Sequence, residues 1–324
     1  MPRDGRDGQE KPAMTHPTRI LPAPARPEAV AGMSLMIGAM LMAPGLDTIA
    51  KVLMDRLSPA QVGAGRFLAQ TVVLLPVILL ARQWGRPTRL HALAGLFLGF
   101  ALLTLNLALR QMPVPNAIAI FFVEPLILTL LGAAVLGETL GWRRLTAVGV
   151  GLIGALIVLR PNVAAYGPAA VWPLATAALF ACYMLTTRVM SQRGGRIALQ
   201  FWTGAFAALA LSLAAGVTAA VTPQGDVLLM PTGREFGLFA LVGCGAAVVH
   251  GMIVAALSRI EAGVVAPFQY FEIISATLLG WLVFGDFPDR VTWAGTALII
   301  AAGVYVFHRE RRLNRRPPAP VPAP

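Results

Sequence analysis

The feature of this sequence that most restricts its fold is a succession of long apolar segments that contain almost no charged residues. A membrane-spanning helix needs about 20 consecutive, mostly apolar residues. We predict ten such spans, separated mostly by gaps so short that neighbouring helices must form antiparallel hairpins. The predicted spans are 31–53, 60–81, 90–109, 116–137, 145–160, 169–190, 197–220, 235–257, 262–284 and 291–308. The sequence therefore predicts an all-α integral membrane protein.

Composition supports a membrane protein and argues against a soluble one. Apolar residues make up 57% of the chain and charged residues 13%, about half of the roughly 25% that is usual for globular proteins. The two cysteines, Cys182 and Cys244, lie inside apolar spans and are expected to be small buried residues. The four histidines are scattered along the chain. We therefore predict no disulfide framework, no metal site and no cofactor.

The distribution of basic residues predicts the orientation in the membrane. The net charge is +11, but the arginines lie in short gaps between apolar runs, which is not the clustered basic face of a nucleic-acid-binding protein. With the N-terminus inside, 19 of the 26 Lys and Arg residues lie in or beside cytoplasmic segments and five lie in external gaps. This asymmetry predicts a multi-pass protein of a bacterial inner membrane with both termini in the cytoplasm.

The two ends of the chain differ from the rest. Residues 1–30 are rich in proline and charge, and residues 309–324 are basic and then proline-rich, so we expect both tails to be disordered. The first apolar run is too long for a signal peptide and has no small-residue cleavage site. It is therefore expected to remain in the membrane as the first helix.

An internal repeat divides the predicted helices into two groups of five. Residues 124–138 read EPLILTLLGAAVLGE, and residues 272–286 read EIISATLLGWLVFGD, which align without a gap at an offset of 148. Seven of these 15 positions are identical. The predicted units are 31–161 and 162–308.

Because five is odd, the second unit enters the membrane with the opposite orientation. Inverted repeats around a site near the membrane midplane are typical of secondary transporters, since two mirrored halves can expose one site to either side. The alternative is a duplication that serves only packing.

These features resemble the drug/metabolite transporter superfamily, EamA type. The resemblance rests on the two five-helix halves and on a Gly-acid pair after the fourth helix of each half, Gly137-Glu138 and Gly285-Asp286. A glycine-rich fifth helix that ends in Arg160-Pro161 adds to it. The resemblance implies transport of metabolites such as vitamins, amino acids or nucleotide-like compounds. The stretch 44–51, followed by Arg66-Phe67, resembles members that take up riboflavin or S-adenosylmethionine.

Two acidic residues occupy equivalent repeat positions in the middle of the fourth and ninth spans, Glu124 and Glu272. A charge at the bilayer centre costs about 2.5–3.5 kcal/mol on insertion scales, so both are expected to face a polar cavity. We predict that one or both bind the substrate or a coupling proton. The alternative is a structural role in hydrogen bonds to neighbouring helices.

Three further charges lie near the predicted external side. Asp47 and Lys51 are four residues apart and share a helix face, and Arg66 lies in the second span. Two interpretations remain open: a cationic side chain of this cluster meets an anionic substrate group or forms a gate, or the cluster is a permanent ion pair.

Several uncharged polar residues and prolines inside spans are weaker candidates. Gln269 and Tyr270 precede Glu272 and are expected to line the same cavity, and Trp202 is a candidate for stacking on a ligand, although a packing role is commoner. His250 is expected to make a satisfied interhelical hydrogen bond. Pro125 fits either a broken helix or an ordinary kink. The complete set of site candidates is Glu124, Glu272, Asp47, Lys51, Arg66, Gln269, Tyr270, Asn106 and Trp202.

The function that this pattern favours is secondary transport of a small metabolite, with protons as the expected coupling ion. A membrane-embedded enzyme is disfavoured because no catalytic constellation is present, and neither lysine follows a glycine as a P-loop would require. A channel is the remaining alternative. The expected partners are a small-molecule substrate and the lipid bilayer, with no nucleic acid, and a homodimer is compatible with the sequence.

Overall fold

We describe the fold from a computed structural model, in which all the secondary structure of the described residues is helical. The described residues are 26–137, 142–159, 167–191, 195–221, 228–260, 262–285, 290, 294, 297, 298 and 300–302.

The first half of the chain forms three long helices and three shorter ones. These are α1 (Arg26–Leu53), α2 (Pro59–Leu80), α3 (Arg89–Gln111), α4 (Val114–Phe121), α5 (Glu124–Leu136) and α6 (Trp142–Leu159).

The second half begins with a 3₁₀ turn at Gly167–Ala170 and continues with three long helices and shorter helical pieces. These are α7 (Val171–Ser191), α8 (Arg196–Val221), α9 (Gly233–Leu257), α10 (Ala262–Val265), a 3₁₀ segment at Ala266–Phe271, and α11 (Glu272–Phe284).

Six helices in the described part of the chain are long and apolar enough to cross a membrane, so the chain is a multi-pass membrane protein. They are Pro27–Leu53, Pro59–Leu80, Arg89–Gln111, Gly167–Ser191, Arg196–Val221 and Gly233–Leu257. These correspond to the first three predicted spans and to the sixth, seventh and eighth. The predicted fourth and ninth spans are each divided into shorter helical pieces. The fifth is α6, and most of the tenth lies outside the described residues.

One predicted boundary is wrong. Helix α1 begins at Arg26, so residues 26–30, which we expected to belong to a disordered tail, are helical. Pro27 is suited to the first turn of a helix, where no backbone donor is required, and Glu28 complements the positive end of the helix dipole. The remainder of the predicted N-terminal tail, the predicted C-terminal tail, Glu138 and Asp286 lie outside the described residues.

Local sequence signals explain several helix starts. The Ser58 side chain accepts a hydrogen bond from the Gln61 backbone, and Pro59 occupies the first turn of α2. Thr88 with His91 at α3, and Thr232 with Glu235 at α9, form reciprocal capping boxes. These caps place the long helices where the apolar runs predict them.

The fourth helix of each half is broken immediately before its acid. Helix α4 ends at Phe121 and α5 starts at Glu124, while the 3₁₀ segment ends at Phe271 and α11 starts at Glu272. Each second piece ends at a glycine in the left-handed conformation, Gly137 with φ 66° and Gly285 with φ 77°. Only glycine adopts this conformation without strain, so both glycines terminate their helices.

The long helices of each half pack mainly on long helices of the other half. Helix α2 packs on α8, α1 packs on α9, and α3 packs on α7. Helix α3 also contacts α8, as α2 contacts α9, and α5 lies against α7 as α11 lies against α1. The largest apolar core therefore lies between the halves, and it includes buried residues of both.

Candidate functional site

A central cavity lies between the two halves of the bundle. The space that protein atoms leave free there amounts to about 710 Å³ when the part open to solvent is included. Its walls come from α1, α2, α3, α4, α7, α9, the 3₁₀ segment and α11. The lining residues are Met40, Ala43, Asp47, Arg66, Phe67, Leu98, Ala101, Leu102, Leu105, Ile118, Phe121, Thr176, Phe180, Val249, His250, Ile253, Gln269 and Glu272.

One wall of the cavity carries a buried ion pair between α1 and α2. The Arg66 Nη1 donates a hydrogen bond of 3.0 Å to Asp47 Oδ1, and each side chain is 7% exposed. The Arg66 Nε has no hydrogen-bond partner among the described residues. Because a guanidinium carries five donors, Arg66 keeps binding capacity beyond the one bond to Asp47.

The cavity wall also presents Glu272, at the start of α11. Glu272 lines the cavity and is 6% exposed. The positive end of the α11 dipole favours a negative charge at this position. Glu272 also interacts electrostatically with Asp47, Arg66 and Glu124. The site therefore joins charges from both halves of the chain.

Glu124, the repeat equivalent of Glu272, lies behind the cavity wall. It is fully buried next to Gln269. Neither carboxyl oxygen of Glu124 and neither amide atom of Gln269 has a hydrogen-bond partner within the described part of the chain. Buried polar groups without partners are costly, so this pair has free capacity for a proton, a water molecule or a substrate group.

Three phenylalanines supply the aromatic part of the wall. Phe121 and Phe180 meet edge to face with ring centroids 5.6 Å apart, and Phe67 stacks on His250 at 5.9 Å. Phe121 and Gln269 are 148 residues apart, so the repeat brings the same position of each half to one cavity. An aromatic wall beside a carboxylate can hold a planar ring and a cationic group together.

Four of the nine predicted site residues line this cavity, namely Asp47, Arg66, Gln269 and Glu272. Tyr270 does not, although it lies between two of them in sequence. In a 3₁₀ helix residues three apart are eclipsed, so Gln269 and Glu272 face the same way and Tyr270 points elsewhere. The Tyr270 hydroxyl donates to the Val148 carbonyl at 3.1 Å, and its ring packs against Gly151, where an added Cβ would overlap it.

The other predicted residues make structural contacts outside the cavity. The Lys51 ammonium donates to the Met112 carbonyl at 3.2 Å. The Asn106 amide donates to the Pro59 carbonyl at 2.9 Å and so joins α3 to the start of α2. The Trp202 indole donates to the Gly85 carbonyl at 3.0 Å and meets the Trp84 ring edge to face.

His250 and the three phenylalanines were not among the predicted site residues. The expected interhelical hydrogen bond of His250 is confirmed, since its Nδ1 lies 3.0 Å from Gln70 Oε1. His250 nevertheless also lines the cavity. In the sequence, His250 stands out only as a polar residue within an apolar run. Nothing in the sequence distinguishes Phe67, Phe121 or Phe180 from packing residues.

The chain resembles known transporters over most of its length. The S-adenosylmethionine uptake transporter of Rickettsia bellii is 26% identical over 269 residues, which is 82% of this chain and 89% of that protein. The riboflavin transporter of Rhizobium johnstonii is 30% identical over 212 residues, 64% of this chain and 67% of that protein. A pseudopaline exporter of Pseudomonas aeruginosa is 27% identical over 196 residues, 60% of this chain and 66% of that protein.

The fold is shared with a protein of known structure. A crystal structure superposes with a TM-score of 0.70 at 19% identity and covers 89% of this chain and 99% of the other. The model of the EamA-like transporter family matches residues 30–160 and again residues 167–307. Together these matches include both halves of the helical bundle and every residue that lines the cavity. The chain therefore belongs to the EamA-like transporter family.

Proposed function

We propose that this protein is a secondary transporter that moves a small metabolite through the central cavity by alternating access. The observation that carries the proposal is the origin of the cavity's polar groups. Asp47 and Arg66 come from the first half of the chain, and His250, Gln269 and Glu272 come from the second. A site built at the joint of two halves can open to either side when one half moves against the other.

The proposed architecture has ten transmembrane helices in two inverted repeats, 31–161 and 162–308. Two observations support it. The broken helices have their acids 148 residues apart, Glu124 and Glu272, and their terminal glycines, Gly137 and Gly285, at the same offset. The contacts between helices also follow the repeat, since the packing of α1 on α9 corresponds to the packing of α7 on α3. Broken helices at matching positions are a feature of repeat-built transporters.

The proposed location is a bacterial inner membrane, with both termini in the cytoplasm. In this orientation the α1–α2 and α8–α9 connections lie outside. Arg56 in the first connection pairs with Glu235 at the start of α9 at 2.6 Å and donates to the Met230 carbonyl. At the opposite end, which would face the cytoplasm, Trp84 of the α2–α3 connection packs against Trp202 near the start of α8.

The cargo that the cavity supports best is S-adenosylmethionine rather than riboflavin. Relatives described as S-adenosylmethionine uptake transporters match a larger share of this chain. The cavity also offers Glu272 and a group of phenylalanines to a molecule with a cationic sulfonium centre and an aromatic base. Riboflavin carries no positive charge that would balance Glu272.

Proton coupling is assigned to Glu124. Its carboxyl group is buried next to Gln269, has no hydrogen-bond partner among the described residues, and interacts electrostatically with Glu272. A proton on Glu124 would remove the repulsion between the two carboxylates. Proton binding at Glu124 and cation binding at Glu272 are therefore expected to be linked.

The test is uptake by the purified chain in proteoliposomes. Labelled S-adenosylmethionine and riboflavin are supplied separately, with and without a pH gradient. We expect saturable uptake of S-adenosylmethionine that responds to the gradient, and accelerated exchange when unlabelled cargo is inside. Flux that never saturates and shows no exchange would indicate a channel, and no flux of any solute would refute transport.

A further inference from the structure

We propose that Gln70 fixes His250 as a hydrogen-bond acceptor in the cavity and that this acceptor selects cargo carrying an N–H donor. The inference rests on the proposed transport function, because it assigns part of the selectivity of the same cavity. Gln70 itself does not touch the cavity, so it is a positioning residue, whereas His250 lines the cavity directly.

The contact between α2 and α9 determines which imidazole nitrogen carries the proton. His250 Nδ1 lies 3.0 Å from the Gln70 side-chain oxygen, and both residues are buried. An amide oxygen only accepts hydrogen bonds, so Nδ1 must carry the hydrogen. In a neutral imidazole the other nitrogen, Nε2, then has a free lone pair.

The neutral form suits the surroundings of His250. Arg66 already brings a positive charge to the same cavity, and an imidazolium beside it would add repulsion. No hydrogen bond of Nε2 is found in the described part of the chain. The free lone pair of Nε2 therefore remains available to cargo.

Two aromatic rings hold the plane of the imidazole. Phe67 stacks on it with an interplanar angle of 13°, and Tyr183 meets it edge on at 6.2 Å. A 180° flip of the imidazole about its bond to Cβ would keep the ring in the stacked plane but break the Gln70 contact, so Gln70 selects between the two orientations that the rings allow. The direction of the Nε2 lone pair is therefore set by three neighbours from two helices.

A fixed acceptor discriminates between cargoes that differ in one N–H group. Burying an acceptor without its donor leaves it unpaired, which costs more than the bond itself contributes. An exocyclic amine on a planar base is a donor of this kind, and Phe67 beside His250 gives the base a surface on which to lie. We expect N-alkylated cargo that lacks the donor to be rejected.

The first test measures the tautomer in the full chain without cargo. The chain has four histidines, so the nitrogen-15 spectrum of the histidine-labelled, reconstituted protein contains signals from four imidazoles. The signals that disappear in His250→Gln belong to His250. We expect a protonated Nδ1 and an unprotonated Nε2. In Gln70→Leu a second tautomer should appear, and in Gln70→Glu, which keeps an acceptor oxygen, it should not. A protonated Nε2 in the unmodified chain would overturn the proposal.

The second test measures binding of S-adenosylmethionine and of its N6,N6-dimethyl analogue, which lacks the donor. The unmodified chain should prefer the first by about tenfold, the effect of one lost hydrogen bond. The side chain of His250→Gln places a hydrogen-bond acceptor near the position of Nε2, so this variant should still prefer S-adenosylmethionine to the analogue. The shorter side chain of His250→Asn reaches only the position of Nδ1, so this variant should lose the preference. Equal preference in both variants would refute the selective role.

The two tests separate the proposals. If the chain bound neither compound, the proposed cargo and the selective role of His250 would both fail, while the measured tautomer would still report on Gln70. If transport were present but the analogue were carried equally well, only the inference about His250 would fail.

Discussion

The Asp47 carboxylate accepts a 3.0 Å hydrogen bond from the Arg66 guanidinium in the wall of the central cavity, where both side chains are buried. Removal of one partner leaves the other as an unpaired buried charge, so Asp47→Asn should lose about 3–5 kcal/mol of stability. The double variant Asp47→Leu with Arg66→Met removes both charges and should recover most of this loss. Thermal unfolding in detergent measures the effect.

The same variants separate the two roles that the sequence leaves open for this pair. We expect the double variant to be folded but to transport at least about tenfold more slowly, because both side chains line the cavity through which the cargo is proposed to pass. Transport at the unmodified rate in the double variant would instead show that the pair is only structural.

Substitution of Glu272 and substitution of Glu124 should impair transport in different ways. Glu272 lines the cavity, so Glu272→Gln should weaken cargo binding by about tenfold at every pH. Glu124 is buried beside Gln269, so Glu124→Gln should make cargo binding independent of pH and abolish the response of uptake to a pH gradient. Binding and uptake are measured on the same preparations.

Ser275→Ala is the matched control for these two variants. The Ser275 hydroxyl is buried near Glu272, but among the described residues it bonds only to the backbone carbonyls of Met40 and Glu272. The Ser275→Ala variant should therefore retain both cargo binding and the pH response of uptake. Identical behaviour of Glu124→Gln and Glu272→Gln would contradict the separation of their roles.

Gly151 and Gly149 lie on one helix but should respond differently to alanine. An added Cβ at Gly151 would overlap the Tyr270 ring, whereas at Gly149 it would meet nothing within 4 Å. We expect Gly151→Ala to lose about 1–3 kcal/mol through overpacking and Gly149→Ala to be neutral or slightly stabilising. Unfolding of the two variants measures this, and Tyr270→Leu should rescue Gly151→Ala. Equal stability of the two alanine variants would contradict the close packing of α6 on the 3₁₀ segment.

Cysteine labelling tests the proposed orientation. In a chain with Cys182 and Cys244 replaced by alanine, Asp55→Cys should react with an impermeant reagent added to intact cells. Arg86→Cys should react only after permeabilisation. Both positions are exposed in short connections, at opposite ends of α2. The reverse pattern would invert the proposed topology.

The sequence predicted the long helices well, because hydropathy reports how much apolar surface a helix presents. The predicted span 90–109 became Arg89–Gln111, and 60–81 became Pro59–Leu80. Hydropathy did not detect the breaks in the fourth and ninth spans, since both pieces of each are apolar. Pro125, directly after the break at Glu124, was the residue noted as compatible with a broken helix.

The charged part of the site was also predictable, because a charge inside an apolar run needs a polar neighbour. Asp47, Arg66 and Glu272 were predicted on this basis, and they meet at the cavity. The prediction for Tyr270 was wrong, since proximity in sequence does not determine the direction in which a side chain points within a 3₁₀ turn. The contribution of Phe180 and His250 depends on how helices of the two halves rotate against each other, which one sequence does not reveal.

The broken helices also restrict how the protein can change shape. Neither α5 nor α11 has a side-chain cap, although backbone carbonyls of preceding residues accept from the Glu272 and Ile127 amides. Each joint also carries a buried acid, and hydrocarbon offers neither an uncapped amide nor a carboxyl group a partner. Any conformation that turned the joints before Glu124 and Glu272 towards acyl chains would therefore be strongly disfavoured. The membrane itself thus excludes many movements, and those that remain keep both joints covered by protein or by water.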